Sequence, residues 1–417
     1  MVTQADISAG EDHEFVAQPV PPAARRGFVP VFAAFLGFVI VAGQMVVGGG
    51  LAGQLRRDEL LLAVIGGNTI AGIFAAIAGY TGAQRGVAFS HMLAEAFPGV
   101  SFRIASLYVP VVLVGWYSVE AGIFGNILGG ALGVSDLAGR LLMLACGIAM
   151  AISAYFGFRW LVWVSFIALP AIAILGSYAI FLAATGEQAT FGFSGQPIGL
   201  SEATGVVVGC WIMGAVTCVP DMTRFSRSAI SGALVGFLGI AVGNSFNQLL
   251  GASGAAVARQ ADPALILLGL GLVVPGLLFG LANIWTTNDS NMYSASLHVA
   301  PLLGIDRRRA VLACAAVGAA VATFKTYELG KLFTFLGFLG ATAPALGAVT
   351  IGRYWLAQAR LIPPRGRPYT SWLAWAGGAA AAMALPGALS ALVGVLVGIA
   401  LLTLAERLPV GPTKRPA

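Results

Sequence analysis

A chain of 417 residues with 58% hydrophobic and only 10% charged side chains cannot cover its own surface in water, because soluble globular domains carry roughly 25% charged residues. Lipid must be its solvent. The net charge of +6 would suit a nucleic-acid partner, but the placement of the basic residues along the chain, traced below, excludes one.

Residues 1–27 form a polar tail without the short apolar core of a cleaved signal peptide. A membrane-spanning helix needs about 20 mostly apolar residues. That rule marks twelve segments: 28–50, 60–82, 106–130, 137–155, 159–183, 203–220, 231–252, 266–289, 309–323, 331–354, 370–385 and 387–406. The chain then closes with a tail, 407–417, and leaves no room for a soluble domain between spans. With the N-terminus in the cytoplasm, the outer connections hold Arg56, Arg57, Arg140, Arg259, Lys325 and Lys331, and the inner ones hold the rest of the 23 Lys and Arg residues. Positive charge gathers on the cytoplasmic side of membrane proteins. The expectation is a multi-pass protein of a bacterial inner membrane with both termini in the cytoplasm, its basic charge topological rather than for binding nucleic acid.

Glycine and proline cluster in the first segment (Gly37, Gly43, Gly48, Gly49, Gly50) and in the sixth (Gly205, Gly209, Gly214, Pro220). Interrupted helices at corresponding places in two halves of a transporter point to its binding site. Helices 1 and 6 are five apart, as a five-plus-five inverted repeat requires.

In the third segment Trp116 and Glu120 are four residues apart and share one helix face. A carboxylate at membrane depth costs about 2.5 kcal/mol or more unless it is paired or faces water. Stacking a base on an aromatic ring contributes roughly 1–3 kcal/mol. Together they suit a planar heterocycle bearing N–H groups; the alternative is Trp116 packing against lipid or a neighbour and Glu120 bonded to another helix. Trp211, in the sixth segment, offers a second stacking wall. Asp221 and Arg224, after it, read as a cytoplasmic-side ion pair.

The eighth segment ends in the run Asn283-Ile284-Trp285-Thr286-Thr287-Asn288-Asp289-Ser290-Asn291. Hydroxyls of Thr286 and Thr287 suit a hard cation when a broken helix opposite supplies carbonyls. Alternatively the hydroxyls bond back to their own helix, and Asn288, Asp289 and Asn291 mark the cytoplasmic boundary. His13 in the tail and His91 and His298 near inner loops read as solvated. Cys146, Cys210, Cys218 and Cys314 read as small apolar fillers. No nucleotide-binding glycine loop, catalytic triad or metal cluster is apparent, so neither an enzyme, a cofactor nor primary active transport is expected. A membrane-embedded sensor would need an appended soluble domain, and no obligate protein partner is evident.

The string 283–289 followed by Tyr293 and Ser294 resembles the signature of the bacterial cytosine permeases, within the nucleobase:cation symporter-1 family. So do Pro19 to Asn68 with Ala24-Arg25-Arg26-Gly27 and Gly48-Gly49, Val114-Gly115-Trp116, the region from Phe156-Gly157 to Tyr178 with Pro170-Ala171-Ile172-Ala173, Arg224-Phe225, and Gly243-Asn244-Ser245. The resemblance implies an all-α sodium-symporter (LeuT-type) fold: inverted repeats 28–183 and 203–354, two added helices over 370–406, and alternating access around a midplane site at broken helices 1 and 6. It implies symport of cytosine or a related nucleobase with sodium. Substrate contacts fall on Trp116, Trp211, Asn283 and Gly37, the last at the break in helix 1. The sodium ligands are Thr286, Thr287 and the carbonyls of Asn283, Phe38 and Val41. The outer gate spans 333–338, with Phe333, Phe335 and Phe338.

Glu120 departs from the cytosine permease pattern, and the stretch from Cys210 to Val219 aligns poorly. An ionised carboxylate only accepts hydrogen bonds, so it favours two adjacent N–H donors, as on guanine or protonated cytosine. A protonated one donates as well. Glu120 therefore shifts specificity, toward an aminopurine or aminopyrimidine, or couples a proton to transport. A hydroxymethylpyrimidine, hydantoin or allantoin stays open as substrate.

Overall fold

The computed structural model describes residues 14–16, 18–185, 197–364, 366–385 and 389–408. Among the described residues, helix covers most of each of the twelve expected segments, with differences at the ends and at internal breaks. The first span is two helices, α1 (Phe28–Val39) and α2 (Ala42–Ala52), bent by 56°. Three β-branched residues in a row, Val39, Ile40 and Val41, resist helix at the bend, and Val41 is fully extended with φ −141°.

Next come α3 (Arg57–Arg85), a short α4 (Phe89–Ala96), α5 (Val100–Leu132), α6 (Asp136–Met150), α7 (Ile152–Phe156) and α8 (Phe158–Thr185). The second half holds α9 (Leu200–Thr223), α10 (Ala229–Leu238), a π-helical stretch (Gly239–Asn244), α11 (Ser245–Ala258), α12 (Pro263–Gly269), α13 (Val273–Leu303), α14 (Arg307–Ala322), α15 (Leu329–Gln358), α16 (Pro368–Ala384) and α17 (Ser390–Arg407). By length and composition seven of the described helices are apolar enough to cross a membrane, or eight counting the bent α1–α2 pair as one span.

Two expectations are corrected. Helix α9 runs without a break from Leu200 to Thr223. Its glycines serve close packing instead: a Cβ on Gly214 would strike the Trp211 ring, and Gly209 meets Gly340 backbone to backbone. Pro220 lies in the last turn of α9, which continues through it to Thr223. The segment expected at 266–289 is instead a short helix, a turn at Gly271 with φ +78°, and a long α13 that continues to Leu303. Asn288, Asp289 and Asn291 are therefore in mid-helix and buried, not at a boundary.

Helix α3 packs along α9 and α10, α5 lies against α13, α6 and α14, and α15 is flanked by α9, α16 and α17. Helices α2 and α11 cross at backbone contact, because Gly48 faces the Gln248 carbonyl and Gly251 faces that of Met45. A buried ion pair, Arg353 to Glu406 at 2.6 Å, fastens α15 to α17.

The arginine-rich end is closed by the N-terminal segment. Glu14 accepts from the Phe158 N–H at 3.0 Å and from the Tyr293 hydroxyl at 2.6 Å. Buried Arg224 donates to that hydroxyl at 2.7 Å and to the Phe15 carbonyl at 3.0 Å. It does not pair with the Asp221 carboxylate as expected. Its Nε meets the Asp221 backbone carbonyl, while the carboxylate accepts from the Phe89 N–H. His298 is fully buried beside Ser106 and Phe89 rather than solvated. His13 and residues 409–417 of the C-terminal tail lie outside the described residues.

Candidate functional site

Breaking α1 from α2 frees backbone carbonyls that no water can satisfy inside a membrane. Non-helical backbone is tolerated there only when protein or a cavity meets it. Here three polar side chains from two helices do so. Thr287 Oγ1 donates to the Phe38 carbonyl at 3.2 Å. Asn283 Nδ2 donates to that of Ile40 at 3.2 Å. Asn247 Nδ2 reaches those of Val39 at 3.5 Å and Val41 at 3.0 Å. Four consecutive carbonyls thus converge on α13 and α11.

Thr286 stands on the same turn, its hydroxyl bonded back to the carbonyls of Ala282 and Asn283 at 3.2 and 3.1 Å. The Asn283 Oδ1 is buried without a partner. Gly37 faces Ser165 of α8 and the Thr286 Cβ, so it belongs with these oxygens and not with the cavity wall, contrary to its expected place at the substrate. Only a glycine lets α1 approach α8 so closely. The Val41 carbonyl already accepts the N–H groups of Gln44 and Met45 in the first turn of α2, as well as Asn247.

Beside the break lies a narrow cavity of about 30 Å³, its walls drawn closer together than the usual small-ligand site. Its wall includes Trp116 and Glu120 from α5, Trp211 from α9, Gln44 from α2, and Thr287 and Asn291 from α13. Trp211 packs edge-on to Phe38, ring centroids 5.0 Å apart at 88°, and its indole N–H has no partner. Glu120 has neither carboxylate oxygen hydrogen-bonded, though it is wholly buried. The Gly43 backbone N–H points toward it from the start of α2 without closing a bond, and that helix end is favourable for negative charge.

Phe335 covers Trp116, ring centroids 5.7 Å apart, and rests on Gly115. Phe338 lies elsewhere, beside Tyr108 at 6.0 Å and 48% exposed. The Phe333 side chain lies outside the described residues. Asn283 stays at the break and does not line the cavity.

Sequence reasoning missed Gln44 and Ser165, and it did not assign Asn291 to the cavity wall. Their signal was present in principle, since buried polar residues within apolar spans need partners, but a single Gln or Ser in a helix does not say which way it faces. Among the described residues no group of His, Cys, Asp and Glu could hold a metal ion. The oxygens at the break are of the neutral kind that suits a hard monovalent cation.

Residues 19–408 match the profile of a family described as permeases for cytosine and purines, uracil, thiamine and allantoin. The chain belongs to this permease family. Its relatives include the cytosine permeases of Escherichia coli K12 and O157:H7, each 32% identical over 359 residues, covering 84% of this chain and 83% of the relative. Among solved structures, this permease is similar to Mhp1, a nucleobase-cation-symport-1 family transporter, in a closed conformation with bromovinylhydantoin bound. The TM-score is 0.79 at 20% identity, over 94% of both chains. It is also similar to a Na⁺-coupled sialic acid symporter, with a TM-score of 0.67 at 11% identity over 98% of this chain and 94% of that one. The fold is therefore the inverted-repeat sodium-symporter architecture with added helices, and the permease is a multi-pass membrane transporter rather than an enzyme.

Proposed function

We propose that this permease imports cytosine or a related nucleobase by symport with sodium, alternating access around the cavity between α2, α5, α9 and α13. The carrying observation is the convergence of four consecutive carbonyls of the first span, three of them freed by the break, on Thr287, Asn283 and Asn247, directly beside an aromatic cavity holding a carboxyl without a hydrogen-bond partner among the described residues. In this reading Trp116 and Trp211 stack on the base and Glu120 accepts its N–H. Sodium takes the Phe38 carbonyl, the Thr286 and Thr287 hydroxyls and an oxygen of Asn283, with the Val41 carbonyl joining if Asn247 gives way. Phe335 is the gate residue over Trp116. This reading places the permease in a bacterial inner membrane, and the basic-residue asymmetry supports cytoplasmic termini.

One of the two expected helix breaks is present here, so the moving element of this reading is the α1–α2 bend. A second reading, proton-coupled transport through Glu120, draws support from a buried carboxyl that closes no hydrogen bond among the described residues. Uptake of labelled cytosine into proteoliposomes separates the two. An inward sodium gradient should drive accumulation, with guanine, adenine, uracil, hypoxanthine and hydantoin as competitors. Uptake indifferent to sodium but steep in pH overturns sodium coupling. Competition by another base in place of cytosine moves the substrate and keeps the coupling.

A further inference from the structure

Four buried side-chain amides form one relay that ends in the cavity. Asn244 Nδ2 donates to Asn68 Oδ1 at 2.8 Å, Asn68 Nδ2 to Gln248 Oε1 at 2.9 Å, and Gln248 Nε2 to Gln44 Oε1 at 3.1 Å. They come from the π-helical stretch, α3, α11 and α2, and none is more than 2% exposed. The π-helical stretch leads into α11 with Asn244 and Gln248 four apart, so both face inward.

Burying four amides where apolar side chains would pack costs free energy unless every group is paired. Holding helices together does not by itself account for this one. Interhelical hydrogen bonds in membranes are worth only about 0.6 kcal/mol on average, and the relay does not close on itself. Every amide oxygen after the first is filled by the preceding NH₂ group, so the relay has one direction. Its far end is the Asn244 Oδ1, buried without a partner. Its near end is Gln44, whose oxygen is held by Gln248 and whose NH₂ is left for the cavity that Gln44 lines. Flipping all four amides would instead place the Gln44 oxygen in the same cavity as the Glu120 carboxylate, two acceptors facing a single ligand. The direction with NH₂ inward complements Glu120.

We propose that Gln44 is a specificity-determining residue that donates its amide N–H to a carbonyl oxygen of the transported base, with Gln248, Asn68 and Asn244 as positioning residues that fix its orientation. The inference rests on the nucleobase reading above and narrows it. The substrate presents a carbonyl acceptor to α2 and an N–H donor to Glu120 on α5, so it is an oxo-heterocycle bearing ring or exocyclic N–H groups. A base without a carbonyl leaves the Gln44 NH₂ buried and unpaired.

The test uses the purified full-length permease and oxo/thioxo pairs, in which a carbonyl is exchanged for a far weaker sulfur acceptor: cytosine and 2-thiocytosine, uracil and 2-thiouracil, guanine and 6-thioguanine. Binding is read by titration of tryptophan fluorescence. The wild type should favour the oxo partner of its preferred pair by roughly tenfold, the worth of one hydrogen bond in a desolvated site. Gln44→Leu should bring that ratio close to one. Gln44→Glu should do the same while keeping the side chain's shape and its bond from Gln248, which guards against a folding failure of the first variant. Gln248→Leu, which touches no substrate, should lower the ratio part-way, an effect that a purely structural role would not produce. A wild-type ratio near one, or the wild-type ratio persisting in both Gln44 variants, overturns the inference and leaves the nucleobase reading intact. Binding of none of the bases by the wild type overturns that reading itself, and the inference with it.

Discussion

The hydroxyl of Thr287 donates to the carbonyl of Phe38 at 3.2 Å, joining residues 249 positions apart in the chain. The contact closes the gap where the first span abandons its helix, and it is where α13 and the α1–α2 bend would share a cation. Thr287→Ala removes one oxygen and leaves the carbonyl unfilled. The sodium concentration for half-maximal uptake should rise about tenfold, the worth of one bond to a charged group. Unchanged sodium dependence in proteoliposomes would remove Thr287 from the coupling site.

Trp116 contributes the flat wall next to Glu120, held from behind by Phe335. Replacing it by Leu should weaken base binding by 1–3 kcal/mol, about 5- to 150-fold, and Trp116→Phe should recover part of that loss. Isothermal titration of the detergent-solubilised protein measures both. A Leu variant that binds as the wild type does would show that the base stacks elsewhere.

Among the described residues neither oxygen of Glu120 closes a hydrogen bond, although the Gly43 backbone N–H points toward it. Glu120→Gln keeps the size of the side chain but supplies a donor and removes the charge. The ranking of competing bases, or the pH dependence of uptake, should change. If both stay at wild-type values, Glu120 is a structural residue.

The Arg353–Glu406 pair is buried on both sides and is further held by Thr370 and by the Arg367 backbone N–H. Glu406→Leu strands the guanidinium and should cost about 3–5 kcal/mol, while the double variant with Arg353→Met should recover much of it. Thermal melting of the two variants decides, and equal losses would show that the pair is not the source.

Much of the fold was legible because membrane insertion imposes it. Twelve apolar segments, their spacing and the placement of arginine were read from length and transfer energetics, and among the described residues the structure is helical through most of them. An interruption of the first span was expected from its glycines, but it falls at Val39-Ile40-Val41, between Gly37 of α1 and Gly43 of α2. The matching break in α9 was not realised, because glycine spacing encodes close approach as readily as interruption, and which of the two applies depends on the helix opposite. Here Gly209 meets Gly340 of α15, while Gly214 leaves room for the Trp211 ring of its own helix.

At the site, sequence named Trp116, Glu120, Trp211 and Thr287, and all four line one cavity. It also named Asn283 and Gly37 as substrate contacts, yet they stand at the break beside Ile40 and Ser165. Gln44 and its amide relay were not visible at all. Residue types and periodicity along one helix determine that a polar group is buried and must be paired. Its partners come from α3 and α11, far away in the chain, and only their packing decides whether the last N–H meets protein or faces the cavity.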